Sequence, residues 1–443
     1  MNKKNNFTGQ KLYNKAKKII PGGTMLLSKR PEMFLPDLWP SYYSKAKGCE
    51  VWDLDNNKYL DCSIMGIGTN TLGYGHKEVD KAVVETVRNG NMSTLNCPEE
   101  VLLAEKLIEL NPWADMVRFA RTGGEANAIA IRIARAASGK NKVAICGYHG
   151  WHDWYLSVNL NDTGDDLSNH LLPGLDPKGV PSELKNSVIP FEYNDYEGLE
   201  KIVSENDIGV IKMEVIRNNE PIDNFLQKVR KLANDKNIVL IFDECTSGFR
   251  ETYGGIHQKY QVFPDMAMYG KTLGNGYAIT AVVGKREIME AAQKTFISST
   301  FWTERIGPTA ALKTLEIMER EKSWLQITKT GKLMQNIWRE YSSKHSIKIN
   351  LNGIPALATY SFDVESIINL KIKTYLIQEF LKRGILAGTS FYSSISHNEN
   401  HLKIYSEILD NIFNTIKSCI DEKQKIDNLL DGIPCHSGFK RLN

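Results

Sequence analysis

Short, largely apolar runs separated by helical patterns constrain the fold of this chain more than any other feature. Runs of this length without alternating polar positions are typical of strands buried on both faces, as in a parallel sheet covered by helices. An alternation of such strands with helices predicts an α/β domain. The runs lie at residues 143–146, 208–213, 239–242 and 266–268, and the clearest apolar stripe at helical spacing lies at 126–137.

The two ends of the chain differ from this central pattern. Residues 50–55 and 58–62 alternate around an Asn-Asn turn, which predicts a β-hairpin. After residue 310 the pattern is mostly helical, with shorter strand-like runs, and we predict that both chain ends form a smaller α+β domain. The predicted N-terminal segment, large domain and C-terminal domain are 1–75, 76–310 and 311–443, with a long loop near the site at 156–190.

Composition and cysteine spacing exclude several classes of protein. The net charge of +3 is spread along the chain, so no nucleic-acid partner is expected. The seven cysteines are odd in number and show no C-x-x-C spacing, which argues against a disulfide framework or a zinc ribbon and favours a reduced, cytoplasmic protein. No apolar run approaches the roughly 18 residues of a membrane span, so no membrane association is expected.

Lys271 follows the apolar run 266–268, and the glycine-rich loop 274–276 comes directly after it. Asp243 ends another apolar run 28 positions earlier. A carboxylate at the carboxyl end of a buried parallel strand lies where open α/β sheets bind ligands, and it can keep the ring nitrogen of a pyridoxal cofactor protonated. The alternative is structural: Asp243 caps a neighbouring helix and Lys271 lies at the surface.

Thr122-Gly123-Gly124-Glu125 opens the striped helix. Paired glycines let the backbone approach an anion, and a helix N-terminus offers free N–H groups with a favourable dipole. Thr-x-x-Glu is also a capping box. Both interpretations hold together if Thr122 caps the helix while the amides of Gly123 and Gly124 bind phosphate.

Tyr148 and His149 directly follow the run 143–146, where an aromatic ring can stack on a planar cofactor. No third ligand accompanies His149 and His152, so no metal site is expected. Gly270-Lys271-Thr272 is similar to the end of a P-loop, but Asp265 stands where the P-loop glycine is required. A nucleoside-triphosphatase is therefore disfavoured.

Together these motifs resemble the class III pyridoxal-phosphate aminotransferases, most closely glutamate-1-semialdehyde 2,1-aminomutase, from about residue 21 to about residue 413. The resemblance implies an α/β fold of type I, with a mostly parallel seven-stranded sheet in the large domain. It also implies pyridoxal 5′-phosphate as cofactor and a homodimer with shared active sites. The motifs, in the family's order and approximate spacing, are Arg121-Thr-Gly-Gly-Glu-Ala126, Tyr148-His-Gly150, Asp243-Glu-Cys-Thr-Ser-Gly-Phe-Arg250 and Gly270-Lys271 with Gly274-Asn-Gly276.

The resemblance further implies residue roles. Lys271 would be the Schiff-base lysine and proton shuttle, Asp243 the partner of the ring nitrogen and Tyr148 the stacking aromatic. Thr300 would reach the cofactor phosphate of the neighbouring subunit. The full cofactor-binding set is Thr122, Gly123, Gly124, Tyr148, His149, Glu214, Asn219, Asp243, Lys271 and Thr300.

The chain departs from the aminomutase pattern where substrate would bind. In the aminomutases, an arginine near the N-terminus binds the substrate carboxylate, and Arg30 lies in the corresponding region of this chain. The stretches 301–308 and 388–397 also differ, and Trp302 and Arg305 would reshape the pocket mouth. Substrate contacts are therefore expected from Arg30, Trp302 and Arg305.

Three functional hypotheses remain open. The favoured one is ping-pong transfer from an amino donor to a small aldehyde or ketone, such as a sugar or a precursor of a surface glycan or secondary metabolite. The second is intramolecular transfer of the glutamate-1-semialdehyde aminomutase type. The third is a non-catalytic cofactor- or ligand-binding protein, which would need neither Lys271 nor Asp243.

Overall fold

The computed structural model describes residues 8–160, 175–216 and 218–438. Contacts divide the chain into two compact units. The large unit is Lys77–Leu325, and the small unit combines Met1–His76 with Gln326–Asn443. The helix Ile306–Glu321 packs on two helices of the large unit and belongs to it, whereas the sequence placed the boundary after residue 310.

The described residues form helices and strands in the following order. The helices are α1 (Thr8–Ile19), α2 (Met65–Gly68), α3 (Lys77–Asn89), α4 (Pro98–Leu110), α5 (Gly123–Ser138), α6 (Asp153–Leu156), α7 (Tyr196–Glu205), α8 (Phe225–Asp235), α9 (His257–Tyr260), α10 (Arg286–Met289), α11 (Ile306–Glu321), α12 (Ser323–Lys344), α13 (Ser366–Leu381) and α14 (Glu399–Ile420). The strands are β1 (Tyr43–Lys47), β2 (Glu50–Asp53), β3 (Lys58–Cys62), β4 (Met116–Ala120), β5 (Lys142–Cys146), β6 (Val188–Pro190), β7 (Ile208–Glu214), β8 (Val239–Glu244), β9 (Met266–Tyr269), β10 (Thr280–Gly284), β11 (Ile349–Asn352), β12 (Leu357–Phe362), β13 (Ile385–Ala387) and β14 (Ser390–Tyr392).

A seven-stranded sheet forms the centre of the large unit within the described residues, in the order β4-β10-β9-β8-β7-β5-β6. Strand β10 is antiparallel to both neighbours, and the other pairs are parallel. The four apolar runs correspond to β5, β7, β8 and β9, which confirms the predicted α/β architecture. Because these four are parallel, their carboxyl ends meet at one edge of the sheet.

The predicted loop at 156–190 is wrong at its end, because residues 188–190 form β6 and pair with β5. Residues 161–174 of that loop lie outside the described residues. The three-residue strand is too short for periodicity to reveal, and its neighbours are rich in Ser, Pro and Gly.

Helix α5 packs its small apolar stripe on the central strands. Ala126, Ala130 and Ala134 are fully buried and share one core cluster with residues of β5, β7, β8 and β10. Small side chains let a helix approach a sheet closely. At the other end Gly139 adopts φ +70°, the left-handed conformation that ends helices with little strain in glycine.

The small unit builds its core from both chain ends. The predicted hairpin is present as β2 and β3, and β13 from the C-terminal part adds to β3 in parallel. Helix α14 buries the predicted stripe against α12, α13 and the sheet β11-β12-β14. At the centre, Trp338 donates its indole N–H to Tyr405 Oη at 3.0 Å, and Phe380 stacks on Tyr405. In the part of the chain that the structure describes, no helix is long and apolar enough to cross a membrane.

We predict that Gly331→Ala destabilises the small unit, although alanine normally favours a helix interior by up to about 1 kcal/mol. A Cβ at Gly331 would lie 1.8 Å from the carbonyl oxygen of Pro355, so the backbone must shift. Overpacking of this kind costs about 1–3 kcal/mol, measurable by urea unfolding. Gly432→Ala is the control, because its Cβ would meet Leu38 at 3.5 Å. Equal stability of both variants would contradict the tight packing.

Candidate active site

Asp243 lies near the carboxyl end of β8, opposite Glu214 of β7 and Met268 of β9. The residue is only 3% exposed. Its Oδ1 accepts the backbone N–H of Cys245 at 3.1 Å, and its Oδ2 lies 2.8 Å from Nδ1 of His149. A buried carboxylate needs such partners to stay ionised.

Lys212 of β7 is the second charged group at this place. Its side chain is fully buried, with Nζ 3.7 Å from Asp243 Oδ2 and 3.5 Å from the sulfur of Met268. Burial lowers the pKa of Lys212, while the charge of Asp243 opposes that shift. Burial would raise the pKa of Asp243, but the charge of Lys212 and the hydrogen bond from His149 together hold it well below its usual value. Asp243 is therefore a carboxylate throughout the neutral pH range.

His149 is buried behind Asp243. Burial and then the charge of Lys212 lower the pKa of His149, so its ring is neutral near pH 7. The ring nitrogens lie near two acceptors, Asp243 Oδ2 at 2.8 Å and the carbonyl oxygen of Cys146 at 3.1 Å. A neutral ring has one N–H, and we assign it to Nδ1 because a charged acceptor makes the stronger bond. His149 thus orients Asp243.

Lys271 follows β9 on the strand next to Asp243. Its backbone N–H donates to the carbonyl of Cys245 at 3.0 Å, and its Nζ donates to Thr246 Oγ1 at 2.7 Å. Both partners belong to the turn that follows β8. The turn that begins two residues after Asp243 therefore anchors both the backbone and the amine of Lys271, whose role as Schiff-base lysine stays a prediction.

The N-terminus of α5 forms the predicted capping box. Thr122 Oγ1 accepts the N–H of Glu125, and Glu125 Oε2 accepts the N–H of Thr122 at 2.9 Å. A Cβ at Gly123 would meet only Cys245 Sγ, at 4.0 Å, so this helix end opens beside the turn after β8. A Cβ at Gly124 would lie 2.7 Å from the His152 ring, which leaves room only for glycine.

Tyr148 and Glu214 are linked at the same sheet edge. The N–H of Tyr148 donates to Glu214 Oε2 at 3.1 Å, and the Tyr148 ring packs edge-to-face on Tyr155 with centroids 6.0 Å apart. Gly147 has φ +105°, and a Cβ there would lie 2.6 Å from Glu214 Oε2. The turn after β5 therefore needs glycine to bring Tyr148 to this edge.

Comparison with known proteins decides the family. The family described as Aminotransferase class-III matches residues 37–420. The chain belongs to the class-III aminotransferases. It is 34% identical over 385 residues to a 3-aminobutyryl-CoA aminotransferase of Cloacimonas acidaminovorans, with 84% of this chain and 88% of the relative covered.

Two further similarities agree with this result. A glutamate-1-semialdehyde 2,1-aminomutase of Methanocaldococcus jannaschii is 30% identical over 429 residues, covering 91% of this chain and 97% of the relative. The fold matches the pyridoxal-phosphate form of the FumI protein of Sphingopyxis sp. MTA144 with a TM-score of 0.84 and 23% identity, covering 96% and 100% of the two chains. The fold-type I architecture and the dependence on pyridoxal phosphate expected from the sequence are confirmed at the level of the family.

The residues at the sheet edge fit the cofactor of this family. The buried carboxylate of Asp243 suits a protonated ring nitrogen, and the open helix end at Gly123 suits a phosphate. Lys271 supplies an amine on the adjacent strand. Among the described residues, no group of three or more His, Cys, Asp or Glu side chains could hold a metal ion.

Three further predicted residues of this class-III aminotransferase have the following surroundings. Asn219 is exposed. Thr300 is exposed and begins the 3₁₀ turn Thr300–Thr303. Arg30 lies in the small unit, where its guanidinium packs against Gly22. The cofactor role of Asn219 and Thr300 and the substrate role of Arg30 stay predictions.

Trp302 and Arg305 have structural partners within the large unit. Trp302 Nε1 donates to Glu125 Oε1 at 3.1 Å. Arg305 makes a bidentate ion pair with Glu99, through Nε at 2.8 Å and Nη2 at 2.7 Å. Sequence reasoning expected both residues at the mouth of the substrate pocket, and that expectation remains untested, while their observed contacts hold the segment 302–305 against α4 and α5.

Sequence reasoning missed three residues of this region. Thr246 and Arg121 stand inside quoted motifs but had no assigned role; Arg121 donates to the carbonyls of Trp302 and Glu304 and pairs with Glu304 Oε1 at 2.8 Å. Lys212 was hidden in an apolar run. A single lysine inside a run that is otherwise apolar is the sequence signal that marks it for attention, although only the structure shows its position.

Proposed function

We propose that this class-III aminotransferase transfers an amino group from an amino donor to a small aldehyde or ketone at the sheet edge described above. The observation that carries the proposal is the pairing of a buried carboxylate, Asp243, with the Lys271 amine on adjacent strand ends. A non-catalytic binding protein would need neither group there.

Pyridoxal phosphate, when bound, supplies a carbonyl that condenses with amines and a ring that delocalises the charge left on a deprotonated donor carbon. Asp243 would accept a hydrogen bond from the ring nitrogen and so keep a proton on that atom. His149 keeps the carboxylate in place from behind. Because Asp243 remains ionised at neutral pH, it performs this role without taking up the proton itself.

Lys271 moves the proton in this proposal. Its Nζ is the group that would hold the cofactor when no donor is bound and that, once free, would take the proton from the donor carbon and later return it. The hydroxyl of Thr246, 2.7 Å from Nζ in this structure, holds the released amine near the site.

The remaining site residues bind and orient. The amides of Gly123 and Gly124 at the start of α5 bind the phosphate, with Thr122 as the cap that orders them. Tyr148 stacks on the ring, and Glu214 fixes the backbone of Tyr148. His149 acts through Asp243 rather than by touching the cofactor.

We predict that Lys271→Ala abolishes the covalent link to the cofactor. Purified wild-type protein should absorb near the wavelength of a pyridoxal-phosphate Schiff base, and borohydride should fix the cofactor to the peptide that contains residue 271. Lys285→Ala is the matched control, because its Nζ bonds Asp265 at 2.7 Å and should leave the link intact. Retention of the reducible link in Lys271→Ala would refute the role of Lys271.

The names of the two relatives indicate different substrates. The name of one relative, 3-aminobutyryl-CoA aminotransferase, supports a β-amino acyl thioester as donor, and the aminomutase relatives support intramolecular transfer. We favour intermolecular transfer with a small carbonyl acceptor, a class that includes short acids and sugars. Intramolecular transfer is the second candidate because a relative at 30% identity has the aminomutase name.

A donor screen separates the two candidates. The cofactor-loaded enzyme should lose its Schiff-base absorbance and release a carbonyl product when mixed with an external amine, such as glutamate or 3-aminobutyryl-CoA. Stoichiometric product from one of these amines, absent with Lys271→Ala, is the expected result. Turnover solely of a five-carbon amino-aldehyde or diamino acid, with no external donor, would favour the aminomutase instead.

We further propose that the enzyme is a homodimer in which Thr300 serves the partner's site. Large apolar side chains on both sides of Thr300 are exposed: Phe296 is 83% exposed and Phe301 69%. Exposed aromatic groups this close together are typical of an interface. A second copy of the chain is the partner that the family resemblance implies.

Sedimentation velocity tests this assembly. We expect wild-type protein to sediment at twice the chain mass of 50.1 kDa, and Phe301→Asp to shift it to the monomer because a charge cannot be buried unpaired. Ile222→Asp, at another exposed apolar residue outside this stretch, should leave the dimer unchanged. A monomeric wild type would contradict the proposal.

The proposed partners are otherwise small molecules, and the proposed location is the cytoplasm. All seven cysteines are free, which suits a reducing compartment. Fractionation of cells that produce the enzyme would test the location, and recovery with the membranes would contradict it.

A further inference from the structure

Lys212 has no role in the transfer chemistry described so far. It is the one charged residue within the apolar run 208–213, and it is fully buried. Side chains at positions 212 and 214 of β7 point to the same face, and parallel register places Glu214 beside Asp243. Lys212 therefore lies two residues before the end of β7, on the same face of the sheet as the Asp243 carboxylate.

The acceptors around the Lys212 amine are few and weak. Its Nζ lies 3.5 Å from the sulfur of Met268, a poor acceptor, and 3.7 Å from Asp243 Oδ2. The titratable groups that influence it are Asp243, Glu214, Cys245 and His149. Asp243 is the nearest carboxylate, so the positive charge of Lys212 depends mainly on it.

The cofactor ring nitrogen would need the same carboxylate. Asp243 already accepts two hydrogen bonds, from His149 at Oδ2 and from the Cys245 amide at Oδ1. A protonated ring would place a second positive charge next to Lys212 in a region without solvent, where like charges repel strongly. The two cations would then compete for the charge of Asp243, with Glu214 as the next carboxylate.

We propose that Lys212 is a positioning residue that competes with the protonated ring nitrogen of the cofactor for the charge of Asp243. In the cofactor-free protein Lys212 neutralises the carboxylate. In the loaded protein its charge weakens the hold of Asp243 on the ring and disfavours the proton there. This inference rests on the proposed role of Asp243 and adds a residue that tunes it.

The test uses pyridoxamine 5′-phosphate, which cannot condense with Lys271 and so reports ring and phosphate contacts alone. We expect Lys212→Met to lower its Kd about tenfold, because removal of a like charge within a few ångströms strengthens binding. The 1-deaza analogue, with carbon in place of the ring nitrogen, should bind wild type and Lys212→Met equally. Lys142→Met on β5 is the control, since its Nζ bonds Asn206 at 2.8 Å.

Two outcomes would overturn the proposal: a higher Kd for pyridoxamine phosphate in Lys212→Met, or an equal change for the phosphate and its deaza analogue. Lys212→Gln repeats the measurement with a polar neutral side chain if the methionine variant does not fold. Failure of the underlying function is recognised separately. If Asp243→Asn leaves the Kd of both ligands unchanged in otherwise wild-type protein, the role of Asp243 is wrong whatever Lys212 does.

Discussion

The ionised carboxylate of Asp243 is the group on which the rest of the site depends. A charge in the middle of a packed sheet is costly unless hydrogen bonds and opposite charge compensate it. Here the backbone of Cys245, the ring of His149 and the ammonium of Lys212 share that task. A carboxylate stabilised in this way stays negative rather than taking up a proton from solvent.

Parallel strand order explains how distant residues reach this carboxylate. The carboxyl ends of β5, β7, β8 and β9 all lie at one edge, so each strand adds functional groups there. Tyr148 and His149 follow β5, Glu214 ends β7, Asp243 lies near the end of β8, and Lys271 follows β9. The glycines at 124 and 147 matter because the backbone must pass close to other groups without a Cβ.

The packing of these strands also explains which elements could be predicted from the sequence. Strands β5, β7, β8 and β9 could be predicted because strands covered on both faces are almost wholly apolar, and the cap of α5 because its signals are local. Strand β4 carries Arg118 and escaped detection, since its half-buried residues resemble loop sequence. Lys212 could not be placed because a lysine in a strand normally faces solvent, and only the register with β8 shows that it points under Asp243. Likewise, the Arg305–Glu99 pair joins residues 206 positions apart, which spacing alone does not reveal.

The partners of Arg121 and Glu125 indicate a structural role for the stretch 301–308, which departs from the aminomutase pattern. Glu125 completes the cap of α5 with one carboxylate oxygen and receives the Trp302 indole N–H with the other. Arg121, one residue before the cap, binds the carbonyls of Trp302 and Glu304. Residues 302–305 are therefore hydrogen-bonded to the N-terminus of α5, which we propose binds the phosphate. The hydrogen bonds of residues 302–305 end at the cap of α5. We therefore expect a substitution in this segment to disturb the amides of Gly123 and Gly124 more than it changes the shape of a distant pocket. Residues 302–305 thus link the proposed cofactor cradle to the exposed stretch around Thr300, where we place the second subunit.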